Sequence, residues 1–153
     1  MRLRFIWTGK TRDARLRSLI EEYFDRLGHF VRCEITELKE SPASETQTGI
    51  EKDSRRISDA LHTGGVTVLL DPNGKEWTSR QLADEVQRWN GNGVKEVSFI
   101  VGGPRGVTRE LSGSMDLHWS LSRLTFTHEL ARVLVVEQVY RAYTIVHGLP
   151  YQK

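Results

Sequence analysis

Cysteine is almost missing from this chain. Cys33 stands alone among 153 residues, which excludes a disulfide framework and a multi-cysteine zinc site within one chain; it is expected as a buried small hydrophobe. Long apolar runs are missing as well. No stretch approaches the roughly 18 residues that would span a bilayer, and the opening MRLRFIWTGK has no long apolar segment and no small-residue cleavage site, so it does not read as a signal peptide. Excess charge is absent too: a net +2 does not by itself call for nucleic acid. With 38% hydrophobic and 27% charged residues the balance is that of a soluble globular chain, not a disordered one. A chain of this length buries about 68–70% of its unfolded surface, enough for a real core. The expectation is one domain over residues 1–153, cytoplasmic, with no membrane segment and no metal.

What is present alternates between two periods. Leu3–Trp7 is a short apolar run ending at Thr8-Gly9, and predicts a strand. From Ala14 to Leu27, residues Leu16, Leu19, Ile20, Tyr23, Phe24 and Leu27 share one helical face, and Gly28 closes it. Val31–Leu38 alternates as a half-exposed strand. Glu40–Gly49, rich in Ser, Thr, Gln and Glu, reads as a mobile surface loop, and Ile50–His62 as a helix stopped by Gly64-Gly65. Val66–Leu70 reads as a buried strand, Asp71-Pro72-Asn73-Gly74 as a turn, and Thr78-x-x-Gln81 as a capping box opening a helix through Trp89. Val97–Val101 is a second buried strand, a short helix is expected near Thr108, and Trp119–Ser122 alternates like a brief strand. Strands that are apolar throughout, separated by helices, predict an α/β fold on a parallel sheet.

Three features bear on function. The loop Gly102-Gly103-Pro104-Arg105-Gly106 follows a buried strand, where ligands of open parallel sheets bind. It lacks the Lys-Ser/Thr of a P-loop and the G-x-G-x-x-G spacing, and its few side chains suit a flat ring better than a phosphate; a plain strand-to-helix turn is the alternative. The helix from His128 to about Val146 is apolar on nearly every side, which predicts burial on several sides and a second subunit on one of them. Its polar residues stand out: Glu137 and Arg141 at i, i+4 form a natural pair, and Arg132 and Arg141 are candidates for reaching a ligand, since burying a guanidinium without partners is costly. Finally, Arg2, Arg4, Lys10, Arg12, Arg15 and Arg17 face a single acid, Asp13, in the first seventeen residues. That cluster is either a phosphate-facing patch or a solvated face.

The segments FIVGGPRGV and HWSLSRLTFTHELARVLVVEQVYRAYTI, with the terminal Pro-Tyr and its basic end, resemble the ribosomal RNA large-subunit methyltransferase H family, the small stand-alone branch of the SPOUT methyltransferases. The resemblance runs the full length and is most specific from Val97 to Tyr151. It implies a parallel-sheet SPOUT fold with a C-terminal deep trefoil knot, an exception to ordinary chain topology. It implies S-adenosylmethionine as cofactor, held by Leu70, Gly102, Gly103 and the loop Leu121, Ser122, Arg123, Leu124, Thr125 and Phe126. It further implies methylation of N3 of a pseudouridine in 23S ribosomal RNA of the assembled ribosome, by a homodimer whose site draws on both subunits. Methyl transfer from a sulfonium is an in-line displacement, so the protein's first task is alignment. The N3 proton must also leave, for which His128, Glu137 or a water are the candidate acceptors; with Arg141 these residues form the candidate catalytic set. Tyr140, Tyr143 and Tyr151 are candidates to stack a base, core packing being the alternative for the first two, while Arg132, Arg141 and Lys153 are candidates to hold phosphate. His118 and His147 read as structural or surface residues. Where the family carries a tail histidine this chain has Gln152, and it has Thr127 where many members carry proline. A non-catalytic RNA- or ribosome-binding protein with the same fold is the alternative that Gln152 raises.

Overall fold

The computed structural model describes residues 1–43 and 45–151. Among the described residues, five strands and five helices alternate in order: β1 Arg2–Thr8, α1 Ala14–Leu27, β2 Arg32–Leu38, α2 Gln47–Ala60, β3 Val66–Glu76, α3 Ser79–Gly91, β4 Glu96–Val101, α4 Arg109–Gly113, β5 Leu117–Ser120 and α5 His128–Val146. The strands form one parallel sheet in the order β2-β1-β4-β3-β5. The near-continuous apolar runs in β1 and β4 are explained by a sheet covered on both faces. Successive side chains point to opposite sides of a strand. Leu3, Phe5 and Trp7 of β1, with Val97, Phe99 and Val101 of β4, therefore join one core, and Ile6 and Ile100 join the other.

The larger core lies under α1, α3 and α5, and α5 packs between the other two helices. This accounts within one chain for the apolar character of α5: Val133, Val135, Val136, Val139, Ala142 and Tyr143 are all buried against the sheet and its two neighbours. The smaller core, with Ile57, Leu69, Leu111 and Met115, lies under α2 and α4. Helix starts follow capping chemistry. Asp13 accepts from the Arg15 and Leu16 N–H groups, Thr78 and Gln81 form the reciprocal box, and Thr127 accepts from the Leu130 N–H.

Several boundaries differ from those expected. β3 does not stop at Leu70: it runs to Glu76, and both Leu70 and Lys75 pair with Trp119, so residues 71–74 bulge out of the ladder. Pro72 has no N–H to give a ladder, and Asp71 Oδ1 accepts from the Asn73 N–H at 2.9 Å. The turn composition is thus used inside a strand as a bulge. β5 begins earlier than the alternation at Trp119 suggested. The segment read as a mobile loop is partly helix, because Thr46 caps α2 through the Gly49 N–H, and Ser41 is buried with its N–H on Asp53 Oδ1 at 2.8 Å. Cys33 is half-buried rather than buried; burial pushes its thiol up to about 11, so it is protonated and inert near neutral pH. Among the described residues no helix is long and apolar enough to cross a membrane, and no group of His, Cys, Asp and Glu is arranged to hold a metal ion.

Candidate functional site

The carboxyl ends of β3, β4 and β5 meet at one cavity of about 470 Å³. Its floor is apolar: Leu70 at the start of the β3 bulge and Val101 at the end of β4, Trp119 and Leu121, then Phe126 and Ala131 on the approach to and first turn of α5. The polar groups are few, namely Asp71, Arg105, Ser122, Thr125 and His128. An apolar enclosure with a small number of polar groups, in the range of roughly 300–1,000 Å³, is the usual form of a small-molecule site. Leu124, at the rim, is 72% exposed.

Each wall has a local cause. The β3 wall is the 71–74 bulge, fastened to β5 by His118 Nδ1 and Asp71 Oδ2 at 3.0 Å. Gly74 lets the bulge lie on β5: a Cβ there would meet the His118 carbonyl at 2.6 Å and the Trp119 nitrogen at 2.8 Å. The β4 wall is a tight turn in which the Gly106 N–H donates to the Gly103 carbonyl at 2.9 Å, with Gly106 at φ +75°. A Cβ on Gly102 would meet Val107 Cγ1 at 3.0 Å and Gly106 C at 3.3 Å, so the small residue at 102 serves the turn's own packing. The 121–126 loop is held by Ser120 Oγ donating to the Ser122 carbonyl at 2.9 Å and by the Leu124 N–H on Ser122 Oγ at 3.0 Å.

Leu70, Gly102, Gly103, Leu121, Ser122, Leu124, Thr125 and Phe126 all line this cavity, and so does His128. Arg123 does not: its side chain is 92% exposed, with Nε on Glu76 Oε1 at 3.2 Å. Sequence reasoning placed Pro104 and Arg105 in the candidate ligand loop and Asp71 and Pro72 in the turn after Leu70, but assigned none of them, nor Trp119, to the cofactor. The signal available for the first four was their position just after a buried strand, and for Trp119 its place in the alternation.

The other candidates separate from His128. Glu137 is nine residues further along α5, about 13 Å at 1.5 Å per residue, and Arg141 lies one turn beyond. They form a second cluster. Glu137 Oε1 accepts from Arg141 Nε at 3.1 Å and from the Tyr151 hydroxyl at 2.8 Å, and Oε2 accepts from Gln138 Nε2 at 2.8 Å. The Arg141 guanidinium lies 4.8 Å from the Tyr151 ring centre, and Tyr140 meets that ring edge-on at 4.7 Å. Burial, reinforced by hydrogen bonds to Tyr23 and Glu137, pushes the Tyr151 phenol well above its ordinary value. Tyr143 is core, 3% exposed and packed on Phe30 and His147. Lys153 and Gln152 lie outside the described residues.

Arg132 requires a correction as a phosphate ligand. It is fully buried, with Nη1 on the Gly9 carbonyl at 3.1 Å and Thr11 Oγ1 at 3.0 Å, and Nη2 on the Thr8 carbonyl at 2.6 Å. Its guanidinium sits 5.2 Å from the Trp7 ring centre. Burial pulls its pKa down to about 10, which leaves it charged near neutral pH. It ties the end of β1 to α5 and has no open path to an RNA phosphate. His128 next to it is held below the ordinary 6.5, first by burial and then by the Arg132 charge, with Arg12 adding to the effect and Glu129 and Glu40 opposing it. The first-turn Glu129 accepts from the Arg12 and Asp13 N–H groups at 2.9 and 3.0 Å. The amino-terminal basic cluster is split between the two ends of the sheet. Arg2 and Arg4 pair with Glu96 and Glu34 at the strands' amino ends, Arg15 pairs with Asp13, and Arg17 donates to the Thr11 carbonyl.

The chain resembles known proteins over nearly its whole length. A family model described as predicted SPOUT methyltransferase matches residues 1–152. A protein of Gloeobacter violaceus named ribosomal RNA large subunit methyltransferase H is 40% identical over 151 residues, covering 99% of this chain and 98% of its own. A protein of the same name from Desulfotalea psychrophila is 35% identical over 153 residues, covering both chains completely. Among solved structures, a probable methylase family protein from Haemophilus influenzae superposes with a TM-score of 0.57 at 12% identity, over 99% of this chain and 70% of that one. That likeness concerns the fold alone.

Proposed function

The chain belongs to the SPOUT methyltransferase family, and on that premise we propose that it transfers the methyl group of S-adenosylmethionine to N3 of a pseudouridine in 23S ribosomal RNA of the assembled ribosome. The observation that carries this reading is the shared cavity: eight of the nine positions that the family resemblance assigns to the cofactor line one space of about 470 Å³ at the sheet's carboxyl edge. The residues present fit the group. The apolar surfaces of Leu70, Val101, Leu121 and Phe126 suit an adenine ring, and the backbone of Gly102, Gly103 and the 121–126 loop offers donors and acceptors to its edge and to the ribose. When bound, the cofactor supplies an electrophilic methyl group on sulfur.

The chain's residues do the rest. The three loops align the donor, which is the larger part of the task in an in-line displacement. His128, on the cavity wall and kept neutral by burial and by Arg132, is the proton acceptor for N3. Glu137 is a positioning residue, since its carboxylate is already engaged by Arg141, Tyr151 and Gln138. Arg141, with Tyr140 and Tyr151, offers a charged and aromatic surface suited to an RNA base and its phosphate; Lys153, outside the described residues, is the further phosphate contact in this reading. That surface lies along α5 from the cavity of its own chain, so we assign it to the cavity of a second subunit in a symmetric homodimer. The open Leu124 side chain supports closure of the rim by the partner or by substrate. The reading also includes one domain over 1–153, a trefoil knot in the carboxyl-terminal part, and action in the cytoplasm where ribosomes are found.

Transfer of a labelled methyl group to ribosomes lacking the modification tests the proposal. Methylation at a single 23S pseudouridine is the expected result. Cofactor binding without transfer would replace the enzyme by an RNA-binding protein that keeps the fold, and calorimetric preference for ATP over S-adenosylmethionine would overturn the cofactor.

A further inference from the structure

Arg105 is the one cationic side chain in the Gly102–Gly106 loop, and the fold holds it in place. The turn beneath it is closed by the Gly106 N–H on the Gly103 carbonyl at 2.9 Å. Pro104 fixes one backbone angle at the second position of that turn, and Gly106 takes the left-handed conformation that follows it. Arg105 is exposed, yet it belongs to the cavity wall. Around it the rim charges are already matched. Asp71 meets His118, Glu76 meets Arg123, Glu40 meets Arg12, and Glu129 accepts two backbone N–H groups. Among the described residues, Arg105 has no carboxylate within 4.0 Å. It is therefore an uncompensated positive charge at the mouth.

Its neighbours set its reach. Arg12, in the link from β1 to α1, shares a cleft with Pro104 on one side, and Arg123, beyond β5, lies on the other. In the order β1-β4-β3-β5 these three arginines span three inter-strand steps, on the order of 14 Å along the carboxyl edge. Exposed pairs such as Arg12–Glu40 and Arg123–Glu76 contribute little and exchange easily for a stronger anion. A guanidinium is shaped for bidentate hydrogen bonds to a phosphate. The geometry points to Arg105 as a phosphodiester contact that seats the RNA strand at the cavity mouth, with Arg12 and Arg123 flanking it along the same edge. This rests on the RNA-methyltransferase reading. Phosphate contacts position a nucleic acid without reading its sequence, so Arg105 acts on substrate binding and not on the chemical step.

The test compares the full-length wild type with Arg105→Ala, Arg105→Lys and Arg105→Glu. Measured are kcat and KM on ribosomes lacking the modification, the calorimetric affinity for S-adenosylmethionine, and the salt dependence of binding to single-stranded oligouridine. Expected for Arg105→Ala are a KM higher by roughly five- to tenfold, a log–log salt slope smaller by about 0.7, and cofactor affinity unchanged. Arg105→Lys should keep the slope and recover part of the KM, and Arg105→Glu should exceed Arg105→Ala. A fall in cofactor affinity would give Arg105 to the cofactor's carboxylate and overturn the contact; so would an unchanged KM and slope. If the wild type methylates no ribosome but its oligouridine binding still loses slope at Arg105→Ala, the enzymatic reading fails while the phosphate contact stands.

Discussion

For His128 as the proposed acceptor, neutral imidazole is the useful form, and its surroundings favour that form. Burial acts first and the Arg132 charge second, both lowering its proton affinity below 6.5. The transfer rate should therefore be level through neutral pH and fall only in acid, below the ordinary imidazole value. His128→Gln should lower kcat by about 10²–10⁴ and remove the acid limb, with calorimetric cofactor affinity nearly unchanged; an acid limb that survives the substitution would pass the role to a water. The same shift has a stability consequence of definite sign. The unfolded imidazole takes up a proton at a higher pH than the folded one, so the contribution is complete above about 6.5 and is lost as pH falls through the lower folded value. Arg132 makes a contrasting prediction. Arg132→Met would strand the Thr8 and Gly9 carbonyls, both buried behind a side chain with no exposure. A loss of about 3 kcal/mol is expected, read as a lower urea midpoint at constant slope. An RNA-binding defect with unchanged stability would restore the residue to the substrate side.

At the scale of the element, the bulge in β3 decides the shape of the cavity. Gly74→Ala would drive a Cβ into backbone atoms of His118 and Trp119, which no rotamer change can relieve. The bulge must then shift, taking Asp71 and Pro72 with it, and the expected outcome is a loss of about 1–3 kcal/mol together with weaker cofactor binding. Gly91→Ala, where a Cβ meets nothing within 4 Å, serves as the control in thermal melts and calorimetry; equal behaviour of the two variants would remove the bulge from the argument. This element also marks how far the sequence could be read. The apolar runs of β1 and β4 and the helical stripe of α1 are local patterns, so their elements were legible. The loops after Leu70, after Val101 and before His128, expected together from their position after strands and from family resemblance, line one cavity. Asp71-Pro72-Asn73-Gly74 misled because turn residues favour a bulge as readily as a chain reversal, and only the pairing of Trp119 with both Leu70 and Lys75 distinguishes them. The burial of Arg132 was hidden for a related reason: two of its three partners are backbone carbonyls, all three are more than 120 residues away in sequence, and carbonyls carry no sequence signal.

For the whole molecule, the spacing along α5 sets the question that two subunits would answer. One helix carries His128 on a cavity wall and Glu137, Arg141 and the Tyr151 contact farther on, about 13 Å and more from it. A helix is stiff over that length, so the two clusters sit apart along one chain, the spacing that the proposed homodimer accounts for. Twofold symmetry would bring the Arg141 cluster of each protomer to the other's cavity, and would do so twice. This arrangement can be tested without a structure of the complex. Gly102→Val damages the cavity alone, because the side chain collides with Val107 and the Gly106 backbone and forces the turn to move. Arg141→Ala damages the other cluster alone, leaving Glu137 with its Tyr151 and Gln138 partners. Each variant by itself should be inactive on ribosomes, and Arg141→Ala should still bind the cofactor. Mixed and allowed to exchange, half of the pairs become mixed pairs, each with one cavity and one Arg141 cluster intact at the same site. Activity should return to roughly a quarter of the wild-type value. A mixture that remains inactive after exchange, verified by tag-based capture of mixed pairs, would mean that each chain supplies its whole site, and the Arg141 cluster would then have to be explained by packing against Tyr140 and Tyr151 alone.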